Sequence, residues 1–164
     1  DVFSTKKNHS QSRVITLPIN ILNKENGIRR LTFIGEWENC QQMIKEESID
    51  QDLFNDFSID LDKKDNFGHV FMGYISINDP GTYHFKITSD DGSRLLINDE
   101  LIVDNDGLHS KTSNSGSVYL ERKMHKIVVE YFERGGQEFL EVHWKGPSFE
   151  WQAIPSYKLF HKNN

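Results

Sequence analysis

The sequence predicts an all-β fold, an antiparallel β-sandwich with short helical or loop insertions. Three observations carry that expectation. Apolar and polar residues alternate along short segments, as in Tyr83, Phe85 and Ile87 against His84, Lys86 and Thr88, the period of a strand with one wet face. Turn chemistry separates these segments at intervals of roughly ten residues. Helical periodicity is almost missing. The length of 164 residues fits one domain, taken as residues 13–164 behind a flexible N-terminal linker, residues 1–12 (DVFSTKKNHSQS), which is polar and without period.

Taken in order, Arg13 to Asn20 (RVITLPIN) is apolar enough to dock as an extended edge segment, and Pro18 disfavours a central strand. Asn26-Gly27 marks a turn, and a strand-like run follows from Ile28 to Trp37. Glu38 to Gln51 is charged and reads as a long loop or short helix, with Gln41 to Glu47 the best helical candidate. Phe57, Ile59 and Leu61 alternate with Ser58 and Asp60. Val70 to Ile77 is the next strand, closed by the turn tetrad Asn78-Asp79-Pro80-Gly81. After the strand carrying Tyr83, Phe85 and Ile87, Asp90-Asp91-Gly92 interrupts, and Leu95 and Ile97 resume. Asn98-Asp99-Glu100 then connects tightly to Leu101, Ile102 and Val103. Val118 to Leu120, Ile127 to Phe132 and Phe139 to Lys145 complete the set. Arg134-Gly135-Gly136-Gln137 joins the last two and supplies the positive φ of a hairpin turn. Leu140, Val142 and Trp144 share one face of their strand, Glu141 and His143 the other.

Composition narrows the function. Lys plus Arg number 19 and Asp plus Glu 25, so the net charge of −6 argues against a nucleic-acid partner, which needs a basic stripe. No apolar run approaches the roughly 20 residues of a membrane span. The chain opens at Asp1 without an initiator Met or signal peptide, as expected of a processed or excised segment. Cys40 is the one cysteine, which excludes an intrachain disulfide. With 11 Phe, 5 Tyr and 3 Trp, large rings fill the core from few positions. There is no Gly-x-Ser-x-Gly elbow, phosphate loop or His-Glu-x-x-His motif, and no spacing singles out a carboxylate pair for glycosidase chemistry. The domain itself is expected to be non-catalytic.

Two acidic clusters are the candidates for chemistry. In Asp90-Asp91-Gly92, adjacent carboxylates followed by Gly can converge on one calcium ion, which takes 6–8 oxygens. The competing reading is an Asx-type hairpin turn. Asp104-Asn105-Asp106-Gly107 is not an EF-hand, because Gly arrives too early and position 12 is Ser115. An exposed turn is its competing reading. His109 is expected to pin its loop by hydrogen bonds, since neutral imidazole suits transition metals better than calcium. Of the possible sugar platforms, Trp144 lies on an apolar face and reads as core, while Trp37 and Trp151 read as core or sheet-edge packing.

The strings GTYHFKITSDDGSRLLINDELIVDNDGLH, VEYFERGGQEFLEVHWKGP and IPSYKLFH resemble the domain family named after the anthrax toxin protective antigen, the PA14 domain. The resemblance rests on Gly81, Tyr83 and Phe85, on Ser89 to Ser93, on Ile97 to Asp104 and on Glu130 to Phe132, in the family's order. It spans about four-fifths of the chain, from Gly27 to Phe160. Gly35-Glu36-Trp37 and the run from Phe67 to Tyr74 look like the version attached to bacterial glycoside hydrolases. The resemblance implies a β-sandwich and, from the yeast flocculin branch, a calcium-dependent lectin. There, two consecutive aspartates joined by a cis peptide hold the ion that coordinates sugar hydroxyls.

Carried onto this sequence, the resemblance makes Asp90 and Asp91 the Ca2+ ligands and sugar contacts, with Asp104 and Asn105 as further metal candidates beside them. It places Arg134 and Gln137 in the loop that contacts sugar. That loop departs from the flocculin pattern, because it contains no Asn. The implied function is a lectin-like, non-catalytic carbohydrate-binding accessory domain of a secreted glycoside hydrolase or adhesin. Its partners would be a glycan and a covalently attached catalytic or adhesin domain, in a secreted, periplasmic or cell-surface setting. The alternative is a structural or protein-interaction spacer without a ligand of its own.

Overall fold

The computed structural model describes residues 24–59 and 65–162. The expected linker over residues 1–12, the segment from Arg13 to Asn20, and Leu61 all lie outside the described residues. Twelve strands build the described part: β1 (Lys24–Asn26), β2 (Ile28–Ile34), β3 (Asp50–Phe54), β4 (Phe67–Ser76), β5 (Gly81–Asp90), β6 (Ser93–Ile97), β7 (Glu100–Asn105), β8 (Thr112–Leu120), β9 (Met124–Glu133), β10 (Phe139–Gly146), β11 (Phe149–Ala153) and β12 (Leu159–Lys162). One short helix, α1 (Cys40–Met43), lies between β2 and β3, and a single 3-10 turn (Ser156–Lys158) precedes β12.

The strands form two antiparallel sheets. The larger runs β1-β12-β4-β9-β6-β7, with β2 also beside β4 and β3 beside β2; the smaller runs β11-β10-β5-β8. The axis of the larger sheet is the pairing of β4 with β9, in register from Phe67 opposite Glu133 to Ser76 opposite Met124. Alternation works as expected in β5, where Tyr83, Phe85 and Ile87 are buried between the sheets. They pack with Phe71, Leu95, Val129, Val142 and Trp144 in the main core. Asn98 and Asp99 both adopt positive φ (51° and 69°) and turn β6 into β7, the geometry a two-residue hairpin requires.

Three elements differ from the sequence reading. The helix is one turn, capped by Asn39, whose side chain accepts from the Gln42 N–H at 2.9 Å. Cys40 and Met43 are its buried residues, and Ile44 to Glu47 face solvent, so packing supports no second turn. The expected loop before residue 51 instead enters strand β3, which pairs with β2 from Asp50 opposite Thr32 to Phe54 opposite Ile28. As an edge strand with four exposed residues, β3 has no buried face to generate a pattern. Phe57 to Ile59 form no strand; Phe57 enters the main core and meets Phe71 edge-on at 5.5 Å.

A second, smaller core lies on the outer face of the large sheet. Phe33, Trp37, Cys40, Met43, Val70 and Phe132 form it, so α1 and the chain before it act as a cover. This cover explains why β9 stops alternating: Val129 to Glu133 are all buried, because both faces of the strand are occupied there.

Candidate metal and glycan site

The site forms at one end of the sandwich, where β5 and β9 run out. Asp90 closes β5 opposite Phe139 of β10, and the Asp90-Asp91 peptide is cis. Glu133 closes β9 and is fully buried. Asp90, Asp91 and Glu133 each bring a carboxylate oxygen to within 4.8 Å of the others.

Each carboxylate is positioned by the backbone of a different segment. Asp91 accepts the His109 N–H on Oδ1 and the Arg134 N–H on Oδ2, both at 3.1 Å. Asp90 accepts the Lys111 N–H on Oδ2 at 2.9 Å. Glu133 accepts the Asp91 N–H on Oε2 at 3.1 Å. The other oxygen, Oε1, is buried and has no hydrogen-bond partner among the described residues.

A buried polar layer backs the acidic turn. The Ser89 and Ser93 hydroxyls meet at 2.7 Å, and Asn105 Nδ2 donates to Ser89 Oγ (2.9 Å) and to the Thr112 carbonyl (3.2 Å). The His109 ring sits between the carbonyls of Asn105 (Nε2, 2.8 Å) and Ser110 (Nδ1, 3.0 Å). Gly92 lets the next loop approach: a Cβ there would stand 2.8 Å from both the N and O of Gly107 and 2.4 Å from Phe132 Cε1. That loop is tied to the cover through Asp106, whose Oδ1 accepts the N–H groups of Cys40 (2.8 Å) and Gly107 (2.9 Å). Burial, with Asp106 close by, pushes the Cys40 thiol well above its ordinary range.

Electrostatics set Glu133 apart. Burial and then the charges of Asp91 and Asp90 push its carboxyl up to about 7, although the Gly135 and Asp91 N–H groups favour the ionised form. Burial and the Glu133 charge likewise push the Tyr131 hydroxyl up. A cation placed among the three carboxylates would remove this repulsion. The donor set is all oxygen and all carboxylate, which suits a hard ion such as calcium.

Of the residues expected from sequence, the fold brings Asp90 and Asp91 together and adds Glu133. Asp104 is not a member of that group. Asp104 is exposed on β7, where Oδ1 accepts the Asp106 N–H at 3.2 Å, while Asn105 is buried and uses its amide on Ser89 and Thr112. Arg134 and Gln137 are exposed in the loop between β9 and β10, and the Arg134 backbone touches Asp91. Glu133 escaped the sequence reading because it sits as the final residue of an aromatic strand. The signal that marks it is an acid in phase with Ile127, Val129 and Tyr131 on the buried face of the strand.

A family model for the PA14 domain matches residues 31–155. The anti-sigma-I factor RsgI3 of Acetivibrio thermocellus is 30% identical over 98 residues, 59% of this chain and 15% of that protein. An anti-sigma factor domain-containing protein from Clostridium clariflavum superposes with a TM-score of 0.72 at 23% identity, over 85% of this chain and 48% of its own. A PA14 sugar-binding domain from an RTX adhesin superposes with a TM-score of 0.68 at 16% identity, over 83% of this chain and 98% of that domain. The chain thus spans about a seventh of the curated relative and about half of the anti-sigma structure. The family match covers three-quarters of the sequence, and the superpositions show the same fold: the chain belongs to the PA14 domain family.

Proposed function

We propose that this PA14 domain is a calcium-dependent carbohydrate-binding domain that performs no catalysis. The observation that carries the reading is the group Asp90, Asp91 and Glu133, with the Glu133 Oε1 buried and unpartnered among the described residues. These three residues would hold the ion, which when bound offers open coordination positions to neighbouring hydroxyls of a sugar ring. The N–H groups of His109, Lys111 and Arg134 hold the aspartate oxygens in place beforehand, so little reorganisation accompanies binding. The exposed side chains of Arg134 and Gln137 would donate to sugar hydroxyls beside the ion. Asn105 would support the site through Ser89 and His109, and Asp104 through the Asp106 turn.

The sugar-binding PA14 domain of the RTX adhesin supports the carbohydrate reading. Among the described residues no helix is long and apolar enough to cross a membrane. The domain would serve as the glycan-binding accessory part of a larger secreted, periplasmic or cell-surface protein, a glycoside hydrolase or an adhesin, and raise the local concentration of glycan around it.

The test is a glycan array probed with the domain in calcium and again with chelator. Binding lost on chelation establishes a calcium lectin and names its sugar class. Binding that survives moves the sugar site away from the three carboxylates. No binding on a broad array leaves a spacer domain without a ligand.

A further inference from the structure

The outer face of the larger sheet carries a basic pocket that the carboxylate site does not use. The cover that holds Trp37 and Met43 protects only the half of this face around Val70 and Phe132. Beyond it, β2 and β12 share one edge of β4 and part at Gly73: β2 pairs with Met72 and the residues before it, β12 with Tyr74 and Ile75. A cavity of about 160 Å³ opens at this junction, with the half-buried Met72 and Tyr74 in its wall. Phe71 and Ile75 point into the main core, so Met72 and Tyr74 alternate outward.

Four strands each bring a cation to this pocket. Arg29 of β2 lies opposite Met72 and Lys126 of β9 opposite Tyr74, so both project on the outer face. Lys24 of β1 and Lys162 of β12 oppose each other directly. Their ammonium groups stand 3.8 and 5.9 Å from the Tyr74 ring centroid, held by the negative face of the ring. Arg29, Lys126 and Lys162 line the cavity itself. All three are within reach of a ligand: Lys126 and Lys162 are exposed, and Arg29 is half-buried with its 3.1 Å bond to the neutral Gln51 in solvent. One acid answers them, Asp99, which binds Lys126 at 2.5 Å. Among the described residues Lys24, Arg29 and Lys162 form no ion pair. Like charges directly opposite each other destabilise a strand pair, so an anion at this junction is favoured.

The ligand chemistry follows from these features. Three cations without a counter-ion, on a chain of net charge −6, mark a local preference for an anion. The chain before Lys24 does not supply it, since Asp1 is the one acid there, against Lys6, Lys7 and Arg13. The volume is well below the 300 Å³ or so at which drug-sized pockets begin, so it takes one small unit. The planar guanidinium of Arg29 matches the oxygens of a carboxylate or sulfate. Met72 and Tyr74 add apolar surface for the C–H face of a ring. We propose that this pocket binds an acidic sugar unit, one carrying a carboxylate or sulfate group, with Arg29 and Lys162 on the acid oxygens, and that it does so without calcium. The choice of a sugar to carry the acid group rests on the carbohydrate reading above; the anion site itself does not.

The test uses calcium-free protein, prepared by dialysis so that no chelator competes for the cations, and follows the amide signals of Gly73, Tyr74 and Lys162 by NMR. Methyl glucuronide and glucose sulfate are titrated in turn. Methyl glucoside is the neutral control, and acetate and acetylglutamate amide are acids without a sugar ring. The expected result is a saturable shift with at least one acidic sugar and none with methyl glucoside, weakened by added salt. Arg29→Gln and Lys162→Gln should each weaken the binding about threefold or more. Asp99→Asn, a residue type that tolerates the positive φ there, frees Lys126 and should tighten the binding about twofold. The Asp90→Ala/Asp91→Ala double variant should bind the same sugar equally well, which separates this pocket from the carboxylate site. No shift with either acidic sugar overturns the proposal, as does binding unchanged in all three charge variants. Acetate bound as tightly as the acidic sugar would mean an adventitious ion only, and acetylglutamate amide bound as tightly would replace the sugar by an acidic peptide; either overturns the assignment. Loss of the shift in the aspartate variant overturns the independence of the two sites.

Discussion

Tyr131 donates its hydroxyl to the Asp90 carbonyl at 2.8 Å, and two residues further along the same strand Glu133 accepts the Asp91 N–H. Strand β9 therefore grips both halves of the aspartate pair with alternate residues on one face. The Tyr131 ring is itself wedged edge-on against Phe67 at 6.0 Å. The acidic turn is thus built on the rigid centre of the larger sheet.

Glu133→Gln tests whether the third carboxylate belongs to the ion site. Gln keeps the shape and one carbonyl oxygen but removes a charge. Calcium affinity measured by titration calorimetry should fall at least about tenfold, or about 1.4 kcal/mol. Without calcium the variant should be as stable as the parent or more so, because a repelled buried charge is gone. Unchanged affinity would remove Glu133 from the ligand set.

The stability of the calcium-free domain should depend on pH in an unusual direction. The folded Glu133 carboxyl is pushed up to about 7 from 4.5, and burial raises Glu130 as well, despite Arg94 3.3 Å away. Both groups bind a proton more tightly in the folded chain. The contribution of Glu133 is therefore complete below about 4.5 and is lost as pH rises through about 7, and that of Glu130 is lost in the same direction. In chelator the melting midpoint should fall from pH 5 to pH 8, and calcium should restore it at the upper end. A midpoint that rises over this range in chelator contradicts the assignment.

The two aspartates should differ in structural weight. Asp91→Ala strips the acceptor from the N–H groups of His109 and Arg134, next to a 7%-exposed side chain, whereas Asp90→Ala affects the exposed N–H of Lys111. Both of these bonds are part-buried, and leaving such donors unmatched costs about 1–3 kcal/mol. Urea denaturation without calcium should show Asp91→Ala less stable than Asp90→Ala by about 2 kcal/mol. Equal midpoints would mean that solvent replaces both bonds.

Gly92→Ala should be among the most damaging methyl additions in the chain. The new Cβ would press on Phe132 at 2.4 Å and on the Gly107 backbone at 2.8 Å, and backbone cannot step aside as a flexible side chain does. Overpacking of this kind costs about 1–3 kcal/mol. The loop bearing His109 should shift as well, so calcium affinity and melting midpoint should fall together; a midpoint within error of the parent would show that the loop yields freely.

Strands with one wet face were legible in the sequence, as Tyr83, Phe85 and Ile87 show. Legibility failed where a second layer or an edge intervened. The outer face of β9 is covered by the layer that holds Trp37 and Met43, so Tyr131, Phe132 and Glu133 carry no alternation, and Glu133 reads as mere strand end. Edge strands β3 and β11 bury little and leave no period to read. Trp151, expected in core or edge packing, lies on edge strand β11, 40% exposed, with the Lys86 ammonium 5.0 Å from its ring centroid. At the site, the aspartate pair was visible as adjacent letters. Its convergence with Glu133 depends on β5 and β9 ending at the same level in different sheets, which no local spacing encodes.

The carboxylate group draws its members from positions 90, 91 and 133, and its backbone donors from 109, 111 and 134. No such constellation exists in an extended chain, so an ion captured there recognises the finished fold alone. At a free concentration 100 times its dissociation constant, that preference is worth about 2.7 kcal/mol of added stability. Ambient calcium would then govern how long the domain survives proteases as well as what it holds, and a drop in the ion would weaken the scaffold while it empties the site.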